Sequence, residues 1–400
     1  MASLDSSLQM RLRRFDDEGV RRRANAMPGV GGKIPLADGS MLLNFSCNDY
    51  LDLARNPQVV GRAAQALERW GCGSTASRLM TGTLALHEEL EAELTLLLGG
   101  GPNATALVFS SGFAMNSGVL SSIAGRDDVI FADRLIHASL IDGARLGGGS
   151  LKRFAHTDVD MLAQLLRDTP CHGHRFIVCE SVYSMDGDLA PLVELRRLAN
   201  DYDATLLTDE AHAIGVFGRG GGLGRMFGET AAADLTCGTL GKALGSLGGF
   251  VICRPLLRDY LVNQTRSFIY ATALPPACVA AALGAIDLIR TDPGIGERLL
   301  SNARGFHAAL QKQGLRLEEF GSQIVPIHVG DNRRAVELAE RLRTRGLITT
   351  AIRPPTVPQG TSRLRLSVTL AHTPEDLAWA AEEIGTVARA MGITEGTGAI

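Results

Sequence analysis

No apolar run in the 400-residue chain approaches the roughly 18 residues of a membrane-spanning helix. The N-terminus has no uninterrupted hydrophobic stretch, and Asp5, Asp16, Asp17 and Glu18 argue against a transit peptide, so the expected location is the cytoplasm. Cysteine is sparse and unpatterned: seven are scattered with no C-x-x-C pair. That excludes a disulfide framework and a zinc-binding arrangement, and it fits a reducing compartment. Neither charge sign dominates; the formal net charge is -3, so no bulk attraction to nucleic acid or an anionic membrane is expected. No G-x-S-x-G hydrolase elbow is present. His87-Glu88-Glu89-Leu90-Glu91 lacks the second histidine of a zinc peptidase and reads as a solvated helix face; no metal is expected. Gly29 to Gly32 follows no strand, so it reads as a flexible turn rather than a dinucleotide fingerprint. No repeat or long linker interrupts the chain.

What is present is an ordinary globular composition, 45% hydrophobic and 21% charged, over a length that suggests two or three domain-sized units. Residues 1–25 mix Arg and acids around Leu4, Leu8, Leu12 and Phe15, the pattern of an amphipathic arm helix. From about residue 104, seven short apolar runs alternate with helical stretches. The runs are 106–109, 129–131, 151–154, 176–179, 205–208, 235–237 and 250–253, and the helices include 113–124, 137–146, 158–168 and 191–201. Strands apolar on both faces and separated by helices predict a mainly parallel seven-stranded α/β sheet. A long helical stretch, 275–313, leads out of it. Then come a strand at 324–328, a helix at 332–345, short strands near Ile348 and Leu364, and a last helix at 374–391. This second texture predicts a smaller C-terminal α+β domain. The expected division is 1–45 for the arm, 46–285 for the large domain and 286–400 for the small one. Thr394 to Gly398 reads as a frayed end.

In parallel sheets ligands bind beyond the carboxyl ends of the strands, and the informative polar residues fall there. Lys242, in Gly238-Thr-Leu-Gly-Lys-Ala-Leu-Gly245, sits on a small-residue turn after a strand. A lysine buried at such a place loses hydration, its pKa falls, and the free amine can form a Schiff base. A phosphate-binding P-loop is excluded, because Thr236 replaces its first glycine and Ala243 its Ser or Thr. Asp209 ends a buried strand and needs a partner; it is either a helix cap or a carboxylate aimed at a protonated pyridine nitrogen. His212 follows three residues on. Ser110-Ser111-Gly112-Phe113 ends a strand and opens a helix, either as a plain serine cap or as a backbone phosphate site. His137 begins another helix, as a cap or as a ring stacked on a cofactor, and Glu180 and Ser184 follow a further strand end.

Taken together, these segments resemble the fold-type-I enzymes of pyridoxal 5'-phosphate (PLP), specifically the α-oxoamine synthases. Asn44-Phe-Ser-Cys-Asn-Asp-Tyr-Leu51 and Gly71-Cys-Gly-Ser-Thr-Ala-Ser-Arg-Leu-Met-Thr-Gly82 match as well, and the similarity runs from about residue 10 to 390. Ile352 to Pro358 with Arg363-Leu-Arg365 is most similar to the biotin-synthesis branch. Glu210 and Ala213 stand where that branch more often has Asp and Gly. The resemblance implies that Lys242 carries PLP, Asp209 holds the pyridine nitrogen and His137 stacks on the ring. It implies that Gly112, Phe113 and Thr239 hold the phosphate, with Thr272 arriving from the partner subunit of a homodimer. Ser184 and His212 would bond ring substituents, with Glu180 nearby. Arg365 would bind the amino-acid carboxylate, and Arg21, Arg353 and Thr356, with His137, would contact substrate. The implied reaction is decarboxylative condensation of L-alanine with pimeloyl-ACP or pimeloyl-CoA. Glycine or serine donors with other acyl thioesters remain open, as does a plain aminotransferase.

Overall fold

A computed structural model describes residues 3–394, so most of the expected frayed tail lies outside the described residues. The chain divides into two compact units. The larger comprises Asn48–Ser184 and Asp188–Leu299; the other takes the described residues up to Cys47, Met185–Gly187, and those from Leu300 onward.

The larger unit is built on a seven-stranded sheet. Its spatial order is Thr105–Phe109, Gly249–Cys253, Leu235–Thr239, Ala204–Asp209, Arg175–Glu180, Val129–Asp133 and Ser150–Phe154. All neighbours are parallel except Gly249–Cys253, which runs antiparallel to both strands beside it. The apolar runs become strands because helices cover both faces; every residue of Val129–Asp133 and of Gly249–Cys253 is buried. Leu107, Val119, Ile130, Leu140, Val178 and Leu207 form one continuous core between sheet and helices. Parallel strands put their carboxyl ends on one edge of the sheet, and that edge carries Glu180 and Asp209 in register.

Two expectations need correction here. The stretch 275–313 is two helices, Pro276–Thr291 and Ile295–Lys312, because Pro293 and Gly294 stop the first. Two helices, Pro57–Trp70 and Ala85–Leu97, precede the sheet. The face His87–Glu91 is not solvated: His87, Leu90 and Glu91 are buried, and only Glu88 and Glu89 face water. His87 Nδ1 accepts from Leu84 N and its Nε2 donates to Leu274 O. Glu91 takes Arg78 at 2.9 Å and Arg258 at 3.0 Å, and accepts from Val108 N. Two guanidinium groups on one carboxylate explain why its burial is tolerated.

The other unit holds two three-stranded sheets. One orders Ile324–Gly330, Ser362–Ser367 and Thr350–Ile352, all antiparallel; the second orders Lys33–Pro35, Met41–Asn44 and Leu347–Ile348. The arm helix is present at Leu4–Asp17 but buries none of its residues. Three donors hold its end instead: Asn332 Nδ2 to Glu18 O, Arg333 to Asp17 O and Arg353 to Gly19 O. The Gly29–Gly32 turn is not flexible at its end. Gly31 and Gly32 are buried, His372 Nε2 donates to Gly32 O, and a Cβ on Gly32 would lie 2.2 Å from Thr369 Oγ1.

Candidate active site

A cavity of about 200 Å³ opens at the carboxyl edge of the large sheet, lined by Gly112, Phe113, Asn116, His137, Glu180, Asp209, His212, Thr239 and Lys242 among others. Three strand ends and two helix starts deliver these side chains. Lys242 lies in the loop joining Leu235–Thr239 to Gly249–Cys253. Leu240 N donates to Gly248 O, Ser246 N to Leu240 O and Gly245 N to Lys242 O, closing that loop on itself. Gly245 adopts φ +59, and a Cβ there would meet Ala54 N at 2.5 Å, so glycine is required.

Lys242 Nζ stands 2.7 Å from His212 Nε2, and His212 Nδ1 stands 2.6 Å from the hydroxyl of the fully buried Tyr50. Asp209 is 5% exposed. No helix follows it, so it is not a helix cap; one oxygen accepts from Ala211 N at 2.9 Å and the other from Asn116 Nδ2 at 2.6 Å. Beside it Glu180 is buried, and its Oε2 accepts from Ser184 N. Burial and the neighbouring Asp209 push the Glu180 carboxyl up to about 8, against the pull of Lys242. Burial lowers the His137 imidazole, and Lys242 adds to this while Asp209 opposes it.

Both cap readings hold at the helix starts. Ser111 Oγ accepts from Ala114 N, and His137 Nδ1 accepts from Ser139 N at 3.2 Å. The caps do not remove these groups from the cavity: the His137 ring still lines it, edge-on to Phe113 with centroids 6.3 Å apart. The first N–H groups of Gly112–Ile123 have no partner within the helix, and Gly112 and Phe113 line the cavity. Gly112 makes room for it, since a Cβ there would come within 3.3 Å of Thr239.

Not every expected residue meets here. Ser184 is buried behind Glu180 rather than lining the cavity, and Thr272 is exposed on a segment bridged to Ser77. Arg21, Arg353, Thr356 and Arg365 belong to the other unit. There Arg21 and Arg353 line a second cavity with Phe15, Asp16 and Arg333. Thr356 accepts from Arg22 at 2.9 Å, and the buried Arg365 donates to Ser367 Oγ. Sequence reasoning missed Asn116 and Tyr50. Asn116 lies one helical turn after Gly112, and that i, i+4 spacing would have placed it on the same face. Tyr50 carried no such signal.

The family model described as aminotransferase class I and II matches residues 40–384. A curated protein from Trichlorobacter lovleyi, named 8-amino-7-oxononanoate synthase, is 40% identical over 96% of this chain and 98% of its own. Among solved structures, a serine palmitoyltransferase variant from S. paucimobilis with a bound PLP–myriocin aldimine superposes with a TM-score of 0.90. It is 32% identical and covers 98% of this chain and 100% of its own. An 8-amino-7-oxononanoate synthase from Francisella tularensis gives a TM-score of 0.75 at 28% identity, over 88% of this chain and 99% of its own.

Proposed function

The chain belongs to the class I and II aminotransferase family, and from that premise we propose that it works as an 8-amino-7-oxononanoate synthase. It is a PLP-dependent acyltransferase that condenses L-alanine with a pimeloyl thioester, on ACP or CoA, with loss of CO₂ and the free thiol. This is a step of biotin synthesis. The observation that carries the reading is kinship along nearly the whole chain with curated synthases of that name.

The residues present fit the cofactor. Asn116 Oδ1 and Glu180 Oε1 are buried with no hydrogen-bond partner in a cavity that also holds a primary amine, a carboxylate and a helix N-terminus. Such orphaned atoms are costly unless a ligand meets them. Pyridoxal 5'-phosphate supplies a protonated pyridine ring that takes up the electron pair left at the amino-acid α carbon.

Asp209, oriented by Asn116, keeps the proton on that ring nitrogen. Lys242 Nζ holds the cofactor between turnovers, then takes the α-proton and later returns one. His212, hydrogen-bonded to Nζ, steadies the amine and is itself oriented by Tyr50. His137 covers the ring face and Gly112, Phe113 and Thr239 hold the phosphate, with Glu180 and Ser184 flanking. Arg365 takes the amino-acid carboxylate; Arg21, Arg353 and Thr356 contact the acyl substrate. The enzyme is a homodimer in which the partner subunit's Thr272 completes the phosphate site. Exposure of Phe113 and Tyr270 on the free chain supports that reading. It is cytoplasmic; among the described residues no helix is long and apolar enough to cross a membrane.

The test presents the PLP-loaded protein with alanine, glycine or serine against pimeloyl-ACP, pimeloyl-CoA and palmitoyl-CoA, and reads thiol release and product mass. Alanine with a pimeloyl thioester is expected to give 8-amino-7-oxononanoate. A serine–palmitoyl product would favour the second reading, a serine palmitoyltransferase-like synthase, which the higher TM-score supports. Product without any thioester would overturn both.

A further inference from the structure

Outside the cavity, one cluster of titratable side chains in the larger unit surrounds His156. The residue follows the edge strand Ser150–Phe154. Its Nδ1 lies 3.0 Å from one oxygen of Asp133 and 3.1 Å from the other, and its Nε2 lies 2.7 Å from Asp188 Oδ2. Both ring nitrogens therefore face carboxylates, and both can donate only if the ring is an imidazolium. Tyr183 packs edge-on against the ring with centroids 4.3 Å apart, and its hydroxyl also reaches Asp133.

The two carboxylates belong to different parts of the chain. Asp133 ends strand Val129–Asp133, is fully buried, and also accepts from Leu135 N and Thr157 N. Asp188 closes a hairpin that leaves strand Arg175–Glu180. In it Tyr183 N donates to Asp188 O, Ala190 N donates to Ser181 O, and Val182 pairs with Leu189. Ser184 lies on the same hairpin, and its N–H grips the Glu180 carboxylate. A run of hydrogen bonds thus leads from Asp133 through His156 and Asp188 to the hairpin whose Ser184 N–H meets Glu180 at the wall of the cavity.

We propose that His156 is a positioning residue whose clamp between Asp133 and Asp188 holds the hairpin Ser181–Ala190 in place, and through the Ser184 N–H holds the Glu180 carboxyl at the wall of the cofactor cavity. Burial works against a charged ring, but hydrogen bonds to Asp133 and Asp188 outweigh it and push the imidazole up to about 10. The cation therefore persists across the physiological range. Without it two carboxylates would face each other, and the hairpin would move to separate them. The inference rests on the reading of the Lys242 cavity as the PLP site.

The test measures the PLP dissociation constant and the absorption maximum of the loaded protein for wild type, His156→Asn, Asp188→Asn and the double variant. Loading of the wild type through Lys242 checks the underlying reading separately. His156→Asn is expected to weaken PLP binding on the order of 10-fold, the loss of one charged hydrogen-bond pair, and to shift the absorption band. Adding Asp188→Asn should recover much of that loss, because it removes the repulsion. A merely structural role would instead make the two losses additive and leave the band unmoved. Should His156→Asn not fold, ring ¹⁵N spectra of the wild type at pH 8.5 decide: two protonated ring nitrogens are expected. A neutral ring, wild-type PLP affinity in His156→Asn, or additive losses would each overturn the proposal.

Discussion

At Glu180 a carboxyl group meets a second one, Asp209, in a site that water barely reaches. Its elevation to about 8 means that at pH 7 it is mostly the protonated acid, and above pH 8 it ionises. Glu180→Gln, which copies the protonated form, should therefore match the wild type in PLP affinity at pH 7. At pH 9.5 the wild type should diverge from the variant as it ionises; spectroscopic titration at the two pH values checks this, and equal behaviour at both would contradict it. Most of this site was legible residue by residue. Lys242, Asp209, His212 and His137 stood out because strand ends of a parallel sheet converge and few other residue types could serve there. Asn116 was passed over although its i, i+4 spacing from Gly112 was there to read, whereas Tyr50 escaped because it acts through His212, and a hydrogen bond across 162 positions leaves no local pattern. Glu91 was misread for the same reason: the residues that pay for its burial, Arg78 and Arg258, are distant in sequence.

Among the elements, the loop Leu240–Gly248 shows how backbone geometry aims one amine. Gly245 needs a left-handed φ and lies against the backbone of Leu53 and Ala54, whereas Gly39 has φ +84 with nothing within 4 Å of its would-be Cβ. Gly39→Ala should cost only the conformational strain, about 1 kcal/mol. Gly245→Ala should cost clearly more, because backbone must also move, and should lower PLP occupancy at Lys242. Denaturant unfolding and aldehyde absorbance measure the two effects; equal costs would contradict the close-approach argument. All seven large-sheet strands and four of the helices between them, at 113–124, 137–146, 158–168 and 191–201, could be read from alternation of short apolar runs with amphipathic stretches, while the short helix Leu223–Phe227 was not. The helix Pro57–Trp70 was passed over because no strand alternates with it, and of Ala85–Leu97 only the stretch His87–Glu91 was read as helical. The break at Asp292 to Gly294 carried a plain proline signal that the apolar run on its N-terminal side outweighed.

For the whole molecule, two histidines set opposite limits on stability with pH. Burial depresses His372 to about 4, although its Nε2 donates to Gly32 O. Between pH 6.5 and 4 the unfolded chain takes up a proton that the folded unit refuses, so stability falls as pH falls, by up to about 3 kcal/mol. His156 behaves in the reverse sense: its contribution is complete below pH 6.5 and is lost as pH rises towards 10. Thermal midpoints of His372→Gln should therefore decline less between pH 6.5 and 4 than those of the wild type, whatever the variant's starting stability; parallel declines would contradict this. The account as a whole depends on one covalent attachment point. The chain has four lysines, Lys33, Lys152, Lys242 and Lys312. Borohydride reduction of the PLP-loaded protein followed by peptide mass mapping should find the pyridoxyl group on Lys242 alone, and on no residue in Lys242→Ala. A pyridoxyl group on another lysine at full occupancy, or a reducible chromophore that survives Lys242→Ala, would contradict it.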